Sequence, residues 1–327
     1  MLRPLGGDMR LFKFFAAFLL LSAAFVWAED GEATDSGIKT STNMQVQISS
    51  IPEAKLSFSQ SFVFPFMQGS SPLTQDNNIA AVLTTEISPV SLNGKAEIIW
   101  TPAAFFLLSG GGLAGSGWNM PLGNGIGINK PEDENAAPPR KATIDGKAFD
   151  GLLWRAWGAG TLQFDLGAVI PGDWTHVLFQ SRQELRYAAY SRAEPRESWV
   201  FEADNGENQN GLVYYASYVL GYQMPLAPVL DTIAFMAELE KPLYNTPGGD
   251  FWGENLGKWT FSGLYNFSIT KRFSTAIILQ MQTRRNYGSF DFDNDEYYYR
   301  DKELKSDGGE RRLIFYRAAL LFSYKIR

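Results

Sequence analysis

Charged side chains recur at every second position of several apolar stretches in this chain. Arg182, Glu184 and Arg186 form one such run, and Glu238 and Glu240 form another. Alternate residues of a β-strand point to the same face, so each run presents its charges to one side of a sheet. These groups either pair in a filled interior or line a hydrated path for small solutes. The predicted inward set is Glu86, Glu97, Arg155, Asp165, Arg182, Glu184, Arg186, Glu238, Glu240, Arg284 and Arg317.

The candidate for acid–base catalysis is His176, the only histidine of the chain. A general base needs a partner and access for a substrate. His176 follows a short predicted turn that begins at Pro171, and no His, Ser and Asp constellation can be placed around it. We therefore expect no enzymatic activity.

Two segments resemble ligand-binding loops but lack the residues that such loops need. Asp291 to Asp295 offers alternating oxygens for calcium, yet Glu296 stands where glycine is required and Lys302 where a bidentate glutamate is required. No Lys-Ser/Thr follows the glycine-rich segment 110–117, so a phosphate-binding loop is not indicated. That segment is interpreted as a flexible loop or a glycine-kinked strand extension. We expect no metal and no cofactor.

The elements that must position the inward charges are strands of unusual length. Residues alternate strictly from Leu152 to Ile170, whereas globular strands usually contain about five or six residues. Membrane-spanning barrel strands run longer. A further strand at 44–49 would give an alternative count of about twelve strands. The main interpretation has about ten, near 56–66, 79–88, 95–108, 152–170, 174–190, 212–222, 231–241, 259–269, 273–287 and 313–326.

The connections between these strands alternate in length, which predicts their sides of the membrane. Short periplasmic turns and long outer loops are typical of outer-membrane barrels, and an even strand count puts both termini in the periplasm. The predicted short connections are 88–90, 170–173, 224–229 and 270–272. The predicted long, polar connections are 67–78, 109–148, 191–211, 242–257 and 288–310.

Aromatic residues concentrate near the predicted strand ends, which favours two interfacial girdles. The loop-side candidates are Trp154, Tyr190, Trp199, Phe251, Trp252, Trp259 and Tyr287. The candidates at the other end are Trp174, Tyr222, Phe273 and Tyr324.

The N-terminus predicts export. Arg10 and Lys13 precede an apolar run that ends at Ala28, so we interpret residues 1–28 as a cleaved signal peptide. We assign 29–54 to an N-terminal periplasmic segment and 55–327 to one barrel domain. Without residues 1–28 the chain has 26 basic and 34 acidic residues, which argues against nucleic-acid binding. It contains no cysteine for a disulfide or a lipid anchor.

The last predicted strand has apolar and aromatic residues at alternate positions, namely Ile314, Tyr316, Ala318, Leu320, Phe322, Tyr324 and Ile326. In this the chain resembles bacterial outer-membrane β-barrel proteins, whose final strand typically alternates aromatic residues. Phe322 and Tyr324 lie in that alternation, although the chain ends with Ile326 and Arg327 rather than an aromatic residue. The resemblance covers about residues 55–327. It implies an all-β, antiparallel, up-and-down transmembrane barrel in the bacterial outer membrane.

The fold alone does not choose among functions. The first interpretation is a narrow, porin-like pore for passive passage of small hydrophilic solutes. The alternative is a non-conducting barrel anchor whose loops 109–148, 191–211 and 288–310 bind a host or envelope partner. We expect the protein to be a monomer. Besides small solutes, its expected partners are outer-membrane lipid and the barrel assembly machinery.

Overall fold

The computed structural model describes residues 37–51, 53–120, 125–131, 142–170, 174–195, 197–202, 208–223, 229–243, 257–285 and 311–326. These residues form β-strands and one short 3-10 helix, Leu166–Ala168. The strands are β1 (Lys39–Ser49), β2 (Ala54–Pro65), β3 (Asn78–Ile87), β4 (Ser91–Ala103), β5 (Phe106–Gly117), β6 (Ile126–Pro131), β7 (Ala142–Asp145), β8 (Leu153–Asp165), β9 (Val177–Tyr190), β10 (Trp199–Phe201), β11 (Gly211–Gln223), β12 (Leu230–Pro242), β13 (Lys258–Ser268), β14 (Phe273–Arg285) and β15 (Arg311–Lys325).

Twelve of these strands close into one antiparallel barrel, which confirms the alternative count rather than ten strands. Their order around the barrel is β1-β15-β14-β13-β12-β11-β9-β8-β5-β4-β3-β2. The first and last strands meet at a seam, where the pairing runs from Asn43 opposite Lys325 to Ser49 opposite Ala319. Closure leaves no barrel strand with an open edge.

Strand β1 lies within the segment 29–54 that the sequence assigned to the periplasm, and for Lys39–Ser49 that assignment is wrong. The first residues of β1 are polar on both faces, with Thr40 and Thr42 on one and Ser41 and Asn43 on the other. Alternation becomes visible only from Met44 onward. The predicted signal peptide lies outside the described residues.

The predicted strand 95–108 and the loop 109–148 are also corrected. The chain turns at residues 104–105, and β5 then runs through the glycine-rich segment to Gly117. Glycine has no side chain, so β5 shows no alternation that would mark it as a strand. The loop predicted over 109–148 thus begins with most of a barrel strand, and β6 and β7 follow within it.

Together, the two unpredicted strands β1 and β5 change the end of the barrel at which two connections lie. Residues 88–90 join β3 to β4 at the same end as the long loops, and residues 66–77 join β2 to β3 at the end that holds both chain termini. Both were predicted on the opposite sides. The chain passes from β8 to β9, from β11 to β12 and from β13 to β14 at the terminal end, as predicted for the connections 170–173, 224–229 and 270–272.

The faces of the strands follow the predicted parity. In β8 the outward Leu162 and Phe164 are 51% and 48% exposed, whereas the inward Thr161 is 6% exposed. The strand is shorter than the predicted 152–170, because Asp165 ends it by accepting a hydrogen bond from the Gly167 amide (2.9 Å) and capping the 3-10 helix. An apolar belt therefore surrounds a polar interior.

In the part of the chain that the structure describes, no helix is both long and apolar enough to span a membrane.

A second, three-stranded sheet, β10-β6-β7, occupies the mouth of the barrel at the loop end, and we call it the plug sheet. Its Ile126, Ile128, Trp199 and Phe201 form one buried cluster with inward residues of the barrel wall, namely Leu113, Leu153, Ala188 and Tyr190. These wall residues come from the loop-side ends of β5, β8 and β9. Trp199 and Tyr190 are thus core residues of the plug and not part of an interfacial girdle.

Candidate functional site

A chain of alternating charges follows the inner wall across β4 and β9. Lys95 Nζ lies 3.0 Å from Glu97 Oε2, and Arg182 Nη2 lies 3.4 Å from Glu97 Oε1. The same Arg182 nitrogen is 2.7 Å from Glu184 Oε2, and Arg186 Nη2 is 2.7 Å from Glu184 Oε1. Each carboxylate therefore lies between two cations, which offsets the cost of removing these charges from bulk water.

The glycines of β5 leave space on the inner wall, so that the charged groups of β4 and β9 can meet across β5 and β8. Gly111 pairs with Glu97 on one side and with Trp157 on the other. A Cβ at Gly111 would lie 2.5 Å from Trp157 Cζ2, so the indole ring occupies the space of the missing side chain. Trp157 Nε1 then donates a hydrogen bond to Glu97 Oε1 (3.3 Å), and Lys95 lies over the same ring.

The network of charges extends to β11 and β12 through the aromatic residue Tyr215. The Arg186 guanidinium lies 4.8 Å from the centre of the Tyr215 ring, within the range of a cation–π contact. The Tyr215 hydroxyl donates a hydrogen bond to Glu238 Oε1 (2.7 Å). Charges from β4, β9 and β12 are in this way connected around the interior.

A second polar cluster connects the plug sheet to the wall formed by β2, β3 and β4. Glu202, which follows β10, accepts hydrogen bonds from Lys55 Nζ (2.8 Å), Ser91 Oγ (2.7 Å) and Asn93 Nδ2 (3.1 Å). Burial alone would raise the pKa of Glu202, but the Lys55 ammonium and these hydrogen bonds outweigh it and hold the pKa below the usual 4.5. Lys55 Nζ also lies 3.6 Å from Glu86 Oε2. We call Glu202 with its three donors the Glu202 latch.

A third contact joins the last strand to the turn between β1 and β2. Arg317 Nη1 lies 2.8 Å from Glu53 Oε2, and Arg317 Nε donates to Gln280 Oε1. Burial raises the pKa of Glu53, although the neighbouring Arg317 opposes this shift.

Most of the predicted inward residues enter these contacts. Glu86, Glu97, Arg182, Glu184, Arg186, Glu238 and Arg317 do so directly, while Arg155 lies over the Phe201 ring of the plug sheet and Glu240 lies 3.7 Å from Lys258. Asp165 is instead at the terminal end, where its Oδ2 lies 2.8 Å from His176 Nδ1. The side chain of Arg284 lies outside the described residues. That these groups line a pore stays a prediction.

Several residues of these clusters were not identified from the sequence. Lys55 stands one position before the predicted strand 56–66, and extending the parity by one residue would have found it. Tyr215 was passed over among the tyrosines of β11, although its parity matches that of Ser217. Glu202 gave no signal, because it reaches the interior from a loop.

The predicted interfacial aromatics lie near strand ends. Trp154 and Trp259 are at the loop end, where Trp154 stacks on Tyr187 and Trp259 on Phe261. Trp174, Tyr222, Phe273 and Tyr324 are at the other end, and the Tyr222 hydroxyl donates to the Trp174 carbonyl (2.9 Å). Their role at the membrane interface stays a prediction. Phe251, Trp252, Tyr287 and the acidic run Asp291–Asp295 lie outside the described residues.

An open cavity of about 750 Å³ lies on the outer wall and not in the interior. Gly110, Gly158 and Gly160 leave a depression there between the outward side chains of Leu108 and Leu185. This surface belongs to the apolar belt, so we expect lipid chains to fill it.

These features define the class of the protein. Twelve antiparallel strands close on themselves, the outer face is apolar, and the interior holds a charged network. The chain is therefore a closed, twelve-stranded antiparallel β-barrel, and in this it resembles the bacterial outer-membrane β-barrel proteins.

Comparison with known proteins finds similarity to solved structures only, at low sequence identity. No family model and no curated protein matches the chain. A solved KdgM porin has 9% sequence identity and a TM-score of 0.38, with 88% of this chain and 99% of that chain covered. A KdgM porin in complex with disordered oligogalacturonate has 10% identity and a TM-score of 0.37 over the same shares. CdiB from Acinetobacter baumannii has 7% identity and a TM-score of 0.35, covering 88% of this chain and 60% of that chain.

Proposed function

We propose that this protein is a narrow pore in the bacterial outer membrane for the passive passage of small hydrophilic solutes. The observation that carries the proposal is the charged network on the inner wall, which links β4, β9, β11 and β12. Its cations keep contact with the lumen, since the side chains of Arg182 and Arg186 are each 16% exposed.

The number of strands supports a passage rather than a filled core. Eight strands leave an interior that side chains can fill, and the diameter grows with each further strand. A solid core is more cheaply built from apolar residues, because buried charges carry a desolvation penalty that pairing only partly offsets. Keeping many ionised groups inside a twelve-stranded barrel therefore favours a hydrated interior.

The arrangement of the charges suggests what would pass. Cations and carboxylates alternate along the network, so a solute meets both signs at similar depth. Such a path offers hydrogen bonds without a strong net field. We expect small neutral or zwitterionic solutes and weak ion selectivity.

The test is conductance of the refolded mature chain. The barrel is refolded in detergent, its folding is confirmed by heat-modifiable gel mobility, and single-channel currents are recorded in a planar bilayer. Reproducible conductance steps are expected. A folded barrel without steps, at high and low salt and on both polarities, would refute the pore.

One observation favours a second candidate, the non-conducting anchor. The plug sheet fills the loop end of the barrel with a hydrophobic cluster, and the wall charges are paired. A folded, silent barrel would support this candidate and move the function to the loops. An enzymatic role is not proposed, since in the described structure His176 contacts Asp165 and no hydroxyl nucleophile.

A further inference from the structure

We infer that the plug sheet is a gate, which the Glu202 latch holds shut and which opens when the Lys55 ammonium moves from Glu202 to Glu86. This inference rests on the proposed pore function and assigns its regulation to particular residues.

The two sides of the plug sheet are held by different forces. Toward β5, β8 and β9 it is anchored by a cluster in which Ile126, Leu153 and Trp199 are fully buried. Toward β2 and β4 it is held by the polar contacts of Glu202. Water replaces hydrogen bonds and ion pairs at low net cost, whereas exposing the apolar cluster is expensive. The sheet should therefore release at the latch and stay attached at the cluster.

Glu86 provides a second position for the ammonium. Its side chain is fully buried, and neither carboxylate oxygen has a hydrogen-bond partner within the described structure. Its distance of 3.6 Å from Lys55 Nζ is longer than a hydrogen bond. A small movement of Lys55 away from Glu202 would satisfy Glu86, so release of the latch leaves neither an unpaired cation nor an unpaired wall carboxylate.

The wall next to the latch contains buried polar groups without a hydrogen-bond partner in the described structure. Both polar atoms of the Gln47 side chain are buried and without hydrogen bonds among the described residues, and Gln47 lies directly opposite Lys55. Buried polar groups of this kind normally bind water. Opening at this wall would hydrate Gln47 and Glu86, which offsets part of the cost of release.

The backbone at the latch is under strain. Glu202 has a φ of +56°, in the left-handed region that residues with a side chain rarely adopt. Its amide is held there by a hydrogen bond to the Gly125 carbonyl (2.7 Å). Such strain persists only where the surroundings enforce it, and it favours the released state.

Two Glu→Gln substitutions, each of which removes one negative charge, should act in opposite directions, which a merely structural role would not produce. Glu202→Gln weakens the closed state and should raise the open-to-closed ratio of single channels about tenfold, the effect of losing one charge-assisted hydrogen bond. Glu86→Gln removes the second position for Lys55 and should lower that ratio by roughly fivefold. The matched control is Glu194→Gln, an exposed carboxylate in the same loop, which should leave gating unchanged.

A second measurement reports the motion without any current. Ser57 faces the interior opposite Glu86 and is 8% exposed, and the chain has no other thiol to compete with a cysteine placed there. With Ser57→Cys, the rate of labelling by a water-soluble maleimide should rise with Glu202→Gln and fall with Glu86→Gln. Equal or same-direction effects of the two substitutions on both gating and labelling would overturn the gate. Opposite labelling effects in a barrel that never conducts would instead support the latch and refute the pore.

Discussion

The substitution Gly111→Ala should destabilise the barrel, because its added methyl group has no space. A Cβ at Gly111 would lie 2.5 Å from Trp157 Cζ2 and 2.6 Å from the Ala96 carbonyl oxygen. Real Cβ contacts do not approach so closely, and the carbonyl belongs to a paired strand that cannot move freely. Trp157 must therefore leave the wall and give up its hydrogen bond to Glu97.

The size of the effect follows from three opposing contributions. Overpacking typically costs about 1–3 kcal/mol, and the lost hydrogen bond about 1 kcal/mol. Replacing glycine with alanine recovers about 0.4–1 kcal/mol through the unfolded chain. We expect the free energy of unfolding to fall by roughly 1–3 kcal/mol.

The adjacent glycine provides the matched control. Gly112 lies on the same strand but faces the lipid, and its nearest neighbour to a new Cβ would be the Arg155 carbonyl at an ordinary 3.5 Å. Gly112→Ala should therefore be neutral or slightly stabilising. Urea unfolding of the refolded barrel, followed by tryptophan fluorescence, measures both. Equal effects of the two substitutions would refute the placement of the glycine-rich segment in the wall.

Two further substitutions and one change of pH test the roles of Arg182, Tyr215 and Glu202 in the barrel interior. Arg182→Glu should shift the reversal potential toward cation selectivity, because it places a second carboxylate beside Glu184; an unchanged reversal potential with folding intact would remove Arg182 from the path. Tyr215→Phe leaves Glu238 without its hydroxyl donor and should lower the urea stability by about 1–3 kcal/mol, and a loss within error would contradict a buried hydrogen bond. The pKa of Glu202 is depressed, so the latch is fully present above pH 4.5 and is lost as the pH falls below that value. When the open probability of single channels is recorded from pH 7 down to pH 3, it should therefore rise only below pH 4.5.

The sequence predicts the strands whose two faces differ strongly. In β8 and β9, apolar residues alternate with polar ones for many positions, and their inward residues follow from parity, although β8 ends at Asp165 and not at Ile170. In β1 the two faces are equally polar at the start, and in β5 glycine replaces the side chains that would carry the pattern. The strand count was consequently too low, and two connections were placed on the wrong side.

The sequence also predicts the contacts among the wall charges better than those of the Glu202 latch. Arg182 and Glu184 lie on one strand, so local periodicity is sufficient to bring them together. Lys55 and Glu202 are 147 positions apart, and their contact depends on how a loop folds into the mouth. Periodicity contains no information about that fold, because β10 is only three residues long.

The seam between β1 and β15 determines when the barrel can be completed. It has seven pairs of residues, fewer than any other pair of neighbouring strands in the described part of the barrel. It also joins the two ends of the chain. Contacts between such distant residues form late, since the entropy of closing a long loop must be overcome first. We therefore expect closure of this seam to be the slowest step of folding, and until then the first and last strands present open edges that can pair with other chains.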